Sequence, residues 1–281
     1  MSFIWMNGFL RTSEETRVSP LDHGVITGDG LFETIISYSG EPFALKRHVA
    51  RLKASAQGMF MDTAAIDQVP WREAIIEVLQ ANKLTDARIR VTYTTGDADL
   101  GSDRGKSPPM VMIAAGAFST SNAEGKLSLV PWPRNEKGAL SGLKTISYGE
   151  NVKALFFAKK NGANEALFLN TQGHVCEGTG SNVAWIKQGK LFTPKLETGC
   201  LAGITRALML ELAQKNSIPV EEVQAPLSEL LAADEVILTS TLREVQWVSS
   251  VDDKKWDPSS NKVAKKLKEL FVDYSRKNID P

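Results

Sequence analysis

The sequence predicts an α+β chain that is divided into two α/β lobes. The first part mixes β-rich stretches with amphipathic helical stretches, whereas the second part is dominated by short strands between turn signals. A small, polar stretch, "STSNAEGK", separates the two parts, as is typical of a linker between domains. We therefore expect a smaller α/β domain at 1–118, a linker at 119–125 and a larger, strand-rich α/β domain at 126–281.

The elements of the first part follow from hydrophobic periodicity. The stretch "GLFETIISYSGEPFAL" is β-rich with a turn at Ser39-Gly40, and the next stretch predicts a helix. In that helix the apolar residues recur at helical spacing and form one face: Leu45, Val49, Leu52, Ala56 and Met59. A second helix is predicted at "WREAIIEVLQANKL". Strands are predicted at "ARIRVTYTTG" and "PMVMIAAGAF", with a polar loop over 96–109 between them.

The second part contains more strands than helices. Short strands are predicted at "KLSLVPW", "EALFLN", "NVAWI" and "KLFTP", with turn residues between them. Two helices are predicted at "ITRALMLELAQKN", beginning near Ile204, and at "NKVAKKLKELFVDYSRK". Between these helices "ADEVILTST" predicts a buried strand that ends in hydroxyl residues.

Composition argues against several classes of protein. With 42% hydrophobic and 23% charged residues, the 281-residue chain resembles soluble globular proteins. Basic and acidic residues number 33 each, so bulk charge favours neither nucleic acid nor a membrane surface as a partner. No apolar run approaches the ~20 residues that span a bilayer, and the start "MSFIWMNGFL" is unlike a signal peptide. The two cysteines and three histidines lack metal-ligand spacing, so we expect a cytoplasmic protein without a metal site.

Lys144 stands alone in "SGLKTISYGE" among small, hydroxylated and aromatic residues. No other Lys or Arg lies between Lys137 and Lys153. A solvated loop lysine is the ordinary interpretation, because lysine is mostly exposed in proteins. The alternative is a reactive amine, since burial or a nearby cation lowers the pKa of a lysine and permits covalent bonding to a carbonyl carbon. The residues alone leave both interpretations open.

Two other charged residues also allow a structural or a chemical role. Glu177 in "VCEGTGSNVAWI" enters a glycine-rich turn, where it can point into a cleft or bond to its own backbone. Arg51 in "HVARL" flanks the apolar face of the first predicted helix. It is either solvated or a phosphate ligand that uses its planar fork of donors.

Hydroxyl groups and a helix start offer possible contacts for an anion. Gly203 precedes a predicted helix start at Ile204 and Thr205, where unpaired backbone amides can bind a phosphate. Ser240 and Thr241 end a predicted strand and can either cap a helix or donate to a phosphate oxygen. There is no "GKT" or "GKS" motif, which argues against a nucleoside triphosphate as the ligand.

The order of these features along the chain resembles the fold-type IV pyridoxal-phosphate enzymes, the class-IV aminotransferase superfamily. The resemblance runs from "VSPLDHGVITGDGLFET" to "LTSTLREV" and so covers nearly the whole chain. Members include branched-chain aminotransferases, D-amino-acid aminotransferases and 4-amino-4-deoxychorismate lyases. The resemblance implies a two-domain D-amino-acid aminotransferase-like fold with pyridoxal 5'-phosphate between the lobes. It also implies a homodimer that acts on a small amino substrate.

The resemblance also implies roles for particular residues. Lys144 resembles the lysine that bonds covalently to the cofactor and moves the proton at the substrate carbon. Glu177 would pair with the ring nitrogen of the cofactor, and Arg51 would bind its phosphate. Phe32 and Arg104 are candidates for substrate contacts, although Arg104 is equally open to a role as a solvated loop residue. The other cofactor contacts implied by the resemblance are Tyr148, Leu201, Gly203, Ile204, Thr205, Ser240 and Thr241.

Within the family, departures from the other subgroups favour the lyase. Phe32 stands where D-amino-acid aminotransferases carry a tyrosine, and their arginine-and-histidine carboxylate trap is not recognisable in "TTGDADLGSDRG". The stretch "KTISY" is one residue shorter than the "KAGGNY" that is typical of branched-chain enzymes. We therefore expect an aminodeoxychorismate lyase that releases pyruvate and 4-aminobenzoate for folate synthesis. The alternative is an amino-acid transaminase of the branched-chain or D-amino-acid type.

Overall fold

Two units account for the residues that the computed structural model describes, 2–118 and 124–281. The first unit contains 2–118 together with Leu143–Ser147 and Asn278–Pro281. The second unit contains 124–142 and Tyr148–Lys277. Each unit combines helices with a sheet, so the predicted α+β class is confirmed.

The first unit is a sheet with helices packed on one face. Its elements are β1 Phe3–Met6, β2 Phe9–Thr12, α1 His23–Ile26, β3 Gly30–Tyr38, β4 Glu41–Pro42, α2 Leu45–Gly58, α3 Ala64–Asp67, α4 Trp71–Ala81, β5 Ala87–Thr94 and β6 Met110–Ala117. The strands pair in the antiparallel order β2-β1-β6-β5-β3-β4. Apolar residues of α2 and α4 cover one face of β3, β5 and β6 and form the core of this unit.

Local sequence explains two features of the first unit. Leu45, Leu52 and Ala56 of α2 are buried in the core, so the predicted apolar face of this helix is confirmed. Ser39 and Gly40 join β3 to β4 and have φ angles of 52° and 85°. A two-residue hairpin turn that matches the twist of its strands requires a positive φ at both central residues. The observed angles therefore confirm the predicted turn.

The second unit is richer in strands. Its elements are β7 Gly125–Leu129, α5 Gly149–Lys160, β8 Glu165–Leu169, β9 Val175–Glu177, β10 Asn182–Lys187, β11 Lys190–Pro194, a 3₁₀ turn at Leu196–Thr198, α6 Ile204–Lys215, β12 Val220–Val223, α7 Leu227–Leu231, β13 Glu235–Ser240, β14 Glu244–Val251, β15 Lys254–Lys255, a 3₁₀ turn at Pro258–Ser260 and α8 Val263–Lys277. The strand order is β12-β11-β10-β13-β14-β7-β8-β9, with β15 beside β14. The helix predicted to begin near Ile204 is confirmed.

One additional strand pairing closes part of this second sheet into a ring. Glu177 at the end of β9 pairs with Asn182 at the start of β10, which joins the last strand of the order to its third. The glycine-containing turn between these two residues therefore lies where the ring closes. Strand pairing on both sides of this point holds the Glu177 backbone in place.

The observed units differ from the predicted domain boundaries at two places. The segment Leu143–Ser147 and the tail Asn278–Pro281 were expected in the second domain but cluster with the first unit. Backbone pairing is the physical reason, because Thr145 forms a β-bridge with Leu31 and the amide of Ala44 donates to the carbonyl of Ile279 at 2.7 Å. Such long-range pairing leaves no mark on local periodicity.

The predicted linker is only partly within the described structure. Residues 119–123 of the 119–125 prediction lie outside the described residues, and Gly125 already belongs to β7. No helix in the described ranges is both long and apolar enough to cross a bilayer.

Candidate functional site

Lys144 lies in a short extended segment that is paired with β3. Its carbonyl accepts from the Phe32 amide at 3.0 Å, and two residues later the Ile146 amide donates to the Gly30 carbonyl at 2.9 Å. Its own amide donates to Oγ of Ser55 on α2 at 3.3 Å. These bonds hold the backbone on both sides, so only the partly buried side chain is left to move.

The Phe32 ring lies beside the amine of this lysine. Nζ of Lys144 is 4.2 Å from the ring centroid, and Cζ of Arg90 is 3.6 Å from it. Such cation–π contacts are favourable and restrict the positions of the cations. The ring itself is buried.

Arg51 on α2 is bound by the buried carboxylate of Glu33, the residue that follows Phe32 on β3. Its Nε and Nη2 donate to the two oxygens of Glu33 at 2.8 and 2.7 Å, a bidentate arrangement. Nδ1 of His48 lies 2.8 Å from the same carboxylate. Because successive side chains of a strand point to opposite faces, Glu33 faces α2 while Phe32 points the other way. Adjacent residues of β3 thus contact Lys144 and Arg51.

The partners of Glu33 decide its protonation state. Burial alone would raise the pKa of this carboxyl group, but the Arg51 guanidinium and the His48 hydrogen bond lower it to about 2. Burial lowers the pKa of His48 despite the adjacent carboxylate, with Arg51 and Lys144 acting in the same direction. At neutral pH Glu33 is therefore ionised beside the Arg51 guanidinium, and His48 is neutral.

Arg104 is paired within its own unit. Its Nε and Nη2 donate to Asp29 at 2.6 and 2.7 Å, and its Nη1 donates to the carbonyls of Met59 and Phe60 at 2.9 and 3.1 Å. Burial acts to raise the pKa of Asp29, but the Arg104 hydrogen bonds lower it overall. The predicted role of Arg104 in binding a substrate carboxylate stays a prediction. In that role the guanidinium would have to bind the substrate carboxylate beside Asp29 or in place of it.

Glu177 and Leu201, both predicted cofactor contacts, are in direct contact. The Leu201 amide donates to Oε2 of Glu177 at 2.9 Å. On the other side, Nη2 of Arg134 is 3.7 Å from Oε1 of Glu177, and the two side chains are each 14% exposed. The carboxylate is thus fixed in orientation and lies next to a cation.

Arg134 and Tyr148 surround the same carboxylate. Nη1 of Arg134 donates to Glu150 and, at 3.1 Å, to Asn151, and its Cζ lies 4.1 Å from the Phe168 ring centroid. The hydroxyl of Tyr148 donates to the carbonyl of Thr179. Burial, followed by the nearby Glu177, raises the pKa of Tyr148 to about 12. Tyr148 therefore acts as a hydrogen-bond donor that remains protonated.

Gly203 leaves space for a neighbouring side chain at the start of α6. A Cβ at this position would lie 1.9 Å from Oδ1 of Asn182, and Asn182 Nδ2 donates to the Leu201 carbonyl at 2.8 Å. Ile204 and Thr205 follow as the first residues of α6 and are both buried. Their amides belong to the first helical turn, which has no intrahelical acceptors.

Ser240 and Thr241 lie where β13 turns into β14. Oγ of Ser240 accepts from the Arg243 amide at 3.1 Å, so the hydroxyl braces its own turn. Arg243 in turn extends to Glu165, whose buried carboxylate lies 3.5 Å away. Both residues are partly exposed.

The predicted site residues therefore form two sets, one in each unit. Lys144, Phe32 and Arg51 are connected through β3 and α2 in the first unit. In the second unit Glu177 and Leu201 are bonded directly, and the remaining predicted contacts are Tyr148, Gly203, Ile204, Thr205, Ser240 and Thr241. The roles of all of these residues in binding a ligand stay predictions.

Sequence reasoning did not identify three charged residues that organise these sets. Glu33, Arg134 and Glu165 stand in or beside the apolar stretches "LFETII", "VPWPRN" and "NEALFL". A charge that is buried with such a stretch needs an opposite charge or several hydrogen bonds. A search for charged residues inside apolar runs could have identified Glu33 and Glu165, although not their partners.

Known proteins match this chain along nearly its whole length. A curated relative in Methanocaldococcus jannaschii, provisionally named a branched-chain-amino-acid aminotransferase, is 34% identical over 279 residues, which is 98% of this chain and 96% of the relative. The aminodeoxychorismate lyase of Bacillus subtilis is 28% identical, with 95% and 93% of the two chains covered.

A solved structure has the same fold. The branched-chain aminotransferase of the thermophilic archaeon Thermoproteus uzoniensis, crystallised with norvaline, superposes with a TM-score of 0.90 and 28% identity, covering 96% of this chain and 93% of the other. The family model for amino-transferase class IV matches residues 30–251. The cofactor typical of that family is pyridoxal phosphate, and one of the matching crystal structures contains pyridoxamine 5'-phosphate. The chain belongs to the class IV aminotransferase family.

Proposed function

We propose that this chain is a pyridoxal-phosphate-dependent aminotransferase that acts on branched-chain amino acids. The observation that carries the substrate class is the near-complete match to a relative named for that activity, which is more similar than the matched lyase. Sequence reasoning alone ranked the lyase first and the transaminase second, and the similarity to known proteins favours the reverse order.

The side chains of the two sets suit pyridoxal phosphate chemically. An aldehyde needs an amine, a ring nitrogen needs a carboxylate, and a phosphate needs a guanidinium and backbone amides. Lys144, Glu177, Arg51 and the start of α6 supply these groups. The absence of a Cβ at Gly203 permits the close approach of Asn182, which fixes the Leu201 carbonyl next to the start of α6.

The cofactor residues divide the chemical work between them. When bound, pyridoxal phosphate supplies an electron sink for electrons released at the substrate α-carbon. Lys144 would hold the cofactor through its amine and would move the proton at the substrate α-carbon. Phe32 and Ser55 bond to the backbone of Lys144, so the side-chain amine can reach only a limited range of positions. Glu177 keeps a proton on the ring nitrogen, and the Leu201 amide keeps Glu177 in place.

Several finer assignments belong to the same proposal. Arg51, with Ile204, Thr205, Ser240 and Thr241, binds the cofactor phosphate. Leu201 packs against the ring, and Tyr148 lies near it. Phe32 and Arg104 contact the substrate. The active form is a homodimer.

The lyase remains a second candidate because of the near-complete match to the Bacillus subtilis enzyme. An acceptor-dependence assay separates the two activities. We expect the purified protein, mixed with leucine and 2-oxoglutarate, to form glutamate by ping-pong kinetics. Release of pyruvate and 4-aminobenzoate from 4-amino-4-deoxychorismate without any keto acid, together with no amine exchange, would establish the lyase and refute the transaminase.

Covalent attachment tests the role of Lys144 independently of substrate choice. We expect Lys144→Ala to lose the visible absorbance of the bound cofactor, and borohydride should no longer fix the cofactor to the chain. Lys137→Ala is the matched control, because Lys137 is exposed and lies seven positions earlier in the same stretch. Borohydride fixation that persists in Lys144→Ala would show that another amine carries the cofactor.

A further inference from the structure

We propose that Glu165, through Arg243, is a positioning residue that ties two turns of the second unit together. One is the Glu177 turn, residues 177–182, and the other is the Ser240 turn, residues 240–244. The inference rests on the proposed function, because each turn carries a predicted cofactor contact. It assigns to Glu165 the task of holding the ring-nitrogen contact and the phosphate contact at a fixed separation.

The Glu165 carboxylate accepts several hydrogen bonds from the Glu177 turn. Oε1 accepts from the Thr179 amide at 3.0 Å and from the Thr179 hydroxyl, and Oε2 accepts from the Ser181 hydroxyl at 2.9 Å. Glu165 is 2% exposed, so these bonds are shielded from water. A carboxylate with this many donors is expensive to displace, since each of them would lose a charge-assisted bond.

The sequence of the Glu177 turn fits this carboxylate closely. A Cβ at Gly178 would lie 3.1 Å from Cδ and Cγ of Glu165 and 2.5 Å from Oγ of Ser181. Glycine at this position therefore allows the turn backbone to pack closely against the carboxylate. Thr179 and Ser181 of "EGTGSN" bond to Glu165 and Gly178 leaves space for it, which gives the motif a structural reason of its own.

Arg243 connects the same carboxylate to the Ser240 turn. Its Nη2 is 3.5 Å from Oε2 of Glu165 and donates to the Asn164 carbonyl at 3.0 Å. Its Nη1 donates to Gln246 at 2.6 Å, and its amide donates to Oγ of Ser240 at 3.1 Å. The Arg243 side chain thus contacts Glu165, at the start of β8, and its backbone amide belongs to the Ser240 turn.

Replacing the carboxylate by an amide breaks this link selectively. In Glu165→Gln the remaining oxygen can still accept from Thr179, and the new NH₂ group can donate to the Ser181 hydroxyl. Toward Arg243, however, two donors would face each other and the negative charge would be gone. The Glu177 turn should therefore stay in place while the Ser240 turn loses its tie. The loss should appear in phosphate binding and not in ring binding.

Comparing pyridoxal 5'-phosphate with pyridoxal isolates the phosphate contribution. Both ligands carry the aldehyde and the ring, and only the former has the phosphate. The experiment titrates each ligand into apoprotein of the wild type, Glu165→Gln, Arg243→Gln and the double variant, with affinity read from absorbance or fluorescence. Thermal melting of each apoprotein is measured in parallel.

The matched control is Glu235→Gln, the same substitution at another buried carboxylate. Glu235 is 5% exposed and accepts from the amides of Lys262, Val263 and Ala264 at 2.8–3.0 Å. It lies at the opposite end of β13 from Ser240. Its replacement should lower the melting temperature without changing the preference for the phosphorylated ligand.

We expect the phosphate preference, the ratio of the two affinities, to fall by about tenfold in Glu165→Gln and in Arg243→Gln. The phosphate preference of the double variant should be no lower than that of the more strongly affected single variant, because both substitutions break the same interaction between Glu165 and Arg243. An unchanged ratio in Arg243→Gln, which is 23% exposed and so tolerates substitution, would overturn the inference even if Glu165→Gln does not fold. Additive effects in the double variant would overturn it as well. A wild-type apoprotein without any preference for the phosphorylated ligand would contradict the proposed function itself.

Discussion

The amide of Phe32 donates to the carbonyl of Lys144 at 3.0 Å, and the ring of the same Phe32 lies 4.2 Å from the lysine amine. A single residue of β3 therefore contacts both ends of the lysine. The next residue of the strand, Glu33, holds Arg51 on the opposite face. Two adjacent residues of one strand thus contact Lys144 and Arg51, two of the predicted cofactor contacts.

Phe32→Leu should separate the two contacts of Phe32 with Lys144. The backbone bond is retained, but the amine loses a cation–π contact worth about 0.5–2 kcal/mol and becomes freer to rotate. We expect covalent attachment of pyridoxal phosphate to the apoprotein to slow by about threefold to tenfold, measured by stopped-flow absorbance.

Phe192→Leu provides the control for this experiment. Phe192 also contacts a lysine, with Nζ of Lys190 at 5.2 Å from its ring centroid, but it belongs to β11. Its replacement should leave the attachment rate unchanged. Equal slowing in both variants would mean that general loss of stability, and not the ring beside Lys144, controls the rate.

Glu33→Gln should destabilise the protein strongly. Glu33 is 1% exposed and Arg51 is 13% exposed, so the substitution leaves a largely buried guanidinium without its carboxylate. Breaking a buried ion pair by removing one partner costs about 3–5 kcal/mol, which urea unfolding of the apoprotein can measure.

An exposed ion pair in the same unit gives the comparison. Glu41 and Arg72 also form a bidentate pair, but their side chains are 40% and 54% exposed. Glu41→Gln should change the free energy of unfolding by less than about 1 kcal/mol. Similar losses for the two substitutions would contradict the importance assigned to burial.

The free energy of unfolding should fall in two stages on acidification. The pKa of His48 is lowered by burial below its ordinary value of 6.5, so below that pH the unfolded chain takes up a proton that the folded protein resists. The pKa of Glu33 is lowered from 4.5 to about 2, so its contribution is complete above 4.5 and is lost as the pH falls toward 2.

Urea unfolding across this pH range tests both stages. His48→Gln should weaken the first decline, and Glu33→Gln should weaken the second, because each variant removes the group that titrates. If both variants retain the full pH dependence of the wild type, the titration must come from other groups.

Gly203→Ala should weaken cofactor binding through a steric effect. The new Cβ would lie 1.9 Å from Oδ1 of Asn182, so Asn182 must move and release the Leu201 carbonyl. We expect a loss of about 1–3 kcal/mol in stability and a measurable loss of pyridoxal-phosphate affinity in a titration of the apoprotein. Gly116→Ala is the control, since a Cβ there meets nothing within 4 Å. Unchanged affinity in Gly203→Ala would show that the start of α6 takes no part in the site.

The sequence was most informative where the structure is local. The apolar face of α2, the hairpin turn at Ser39 and Gly40 and the start of α6 near Ile204 follow from periodicity and turn chemistry, and all are confirmed. The resemblance in motif order predicted the family, which the family model confirms. The assignment of Lys144 to the second domain followed from its position in the chain, because the β-bridge between the next residue, Thr145, and Leu31 cannot be seen in a linear sequence.

Partners of buried charges were beyond sequence reasoning. Arg51 was singled out as a phosphate ligand, but its bidentate bond to Glu33 depends on a contact between β3 and α2. Likewise Glu165 meets Arg243 only because β7, paired with β14, also pairs with β8. Spacing along the chain predicts which side chains share one face of a helix or strand. Which faces of two different elements meet is decided by tertiary packing, so the partners of buried charges cannot be predicted from spacing.

The assignment of Leu143–Ser147 and Asn278–Pro281 to the first unit has a consequence for gene recombination. Neither unit is encoded by one uninterrupted stretch, so a crossover near the middle of the gene does not exchange whole units. A hybrid made that way from two relatives would place a lysine segment from one parent against a β3 strand from the other. Shuffling that aims to keep the first unit whole has to transfer both short segments together with the N-terminal portion.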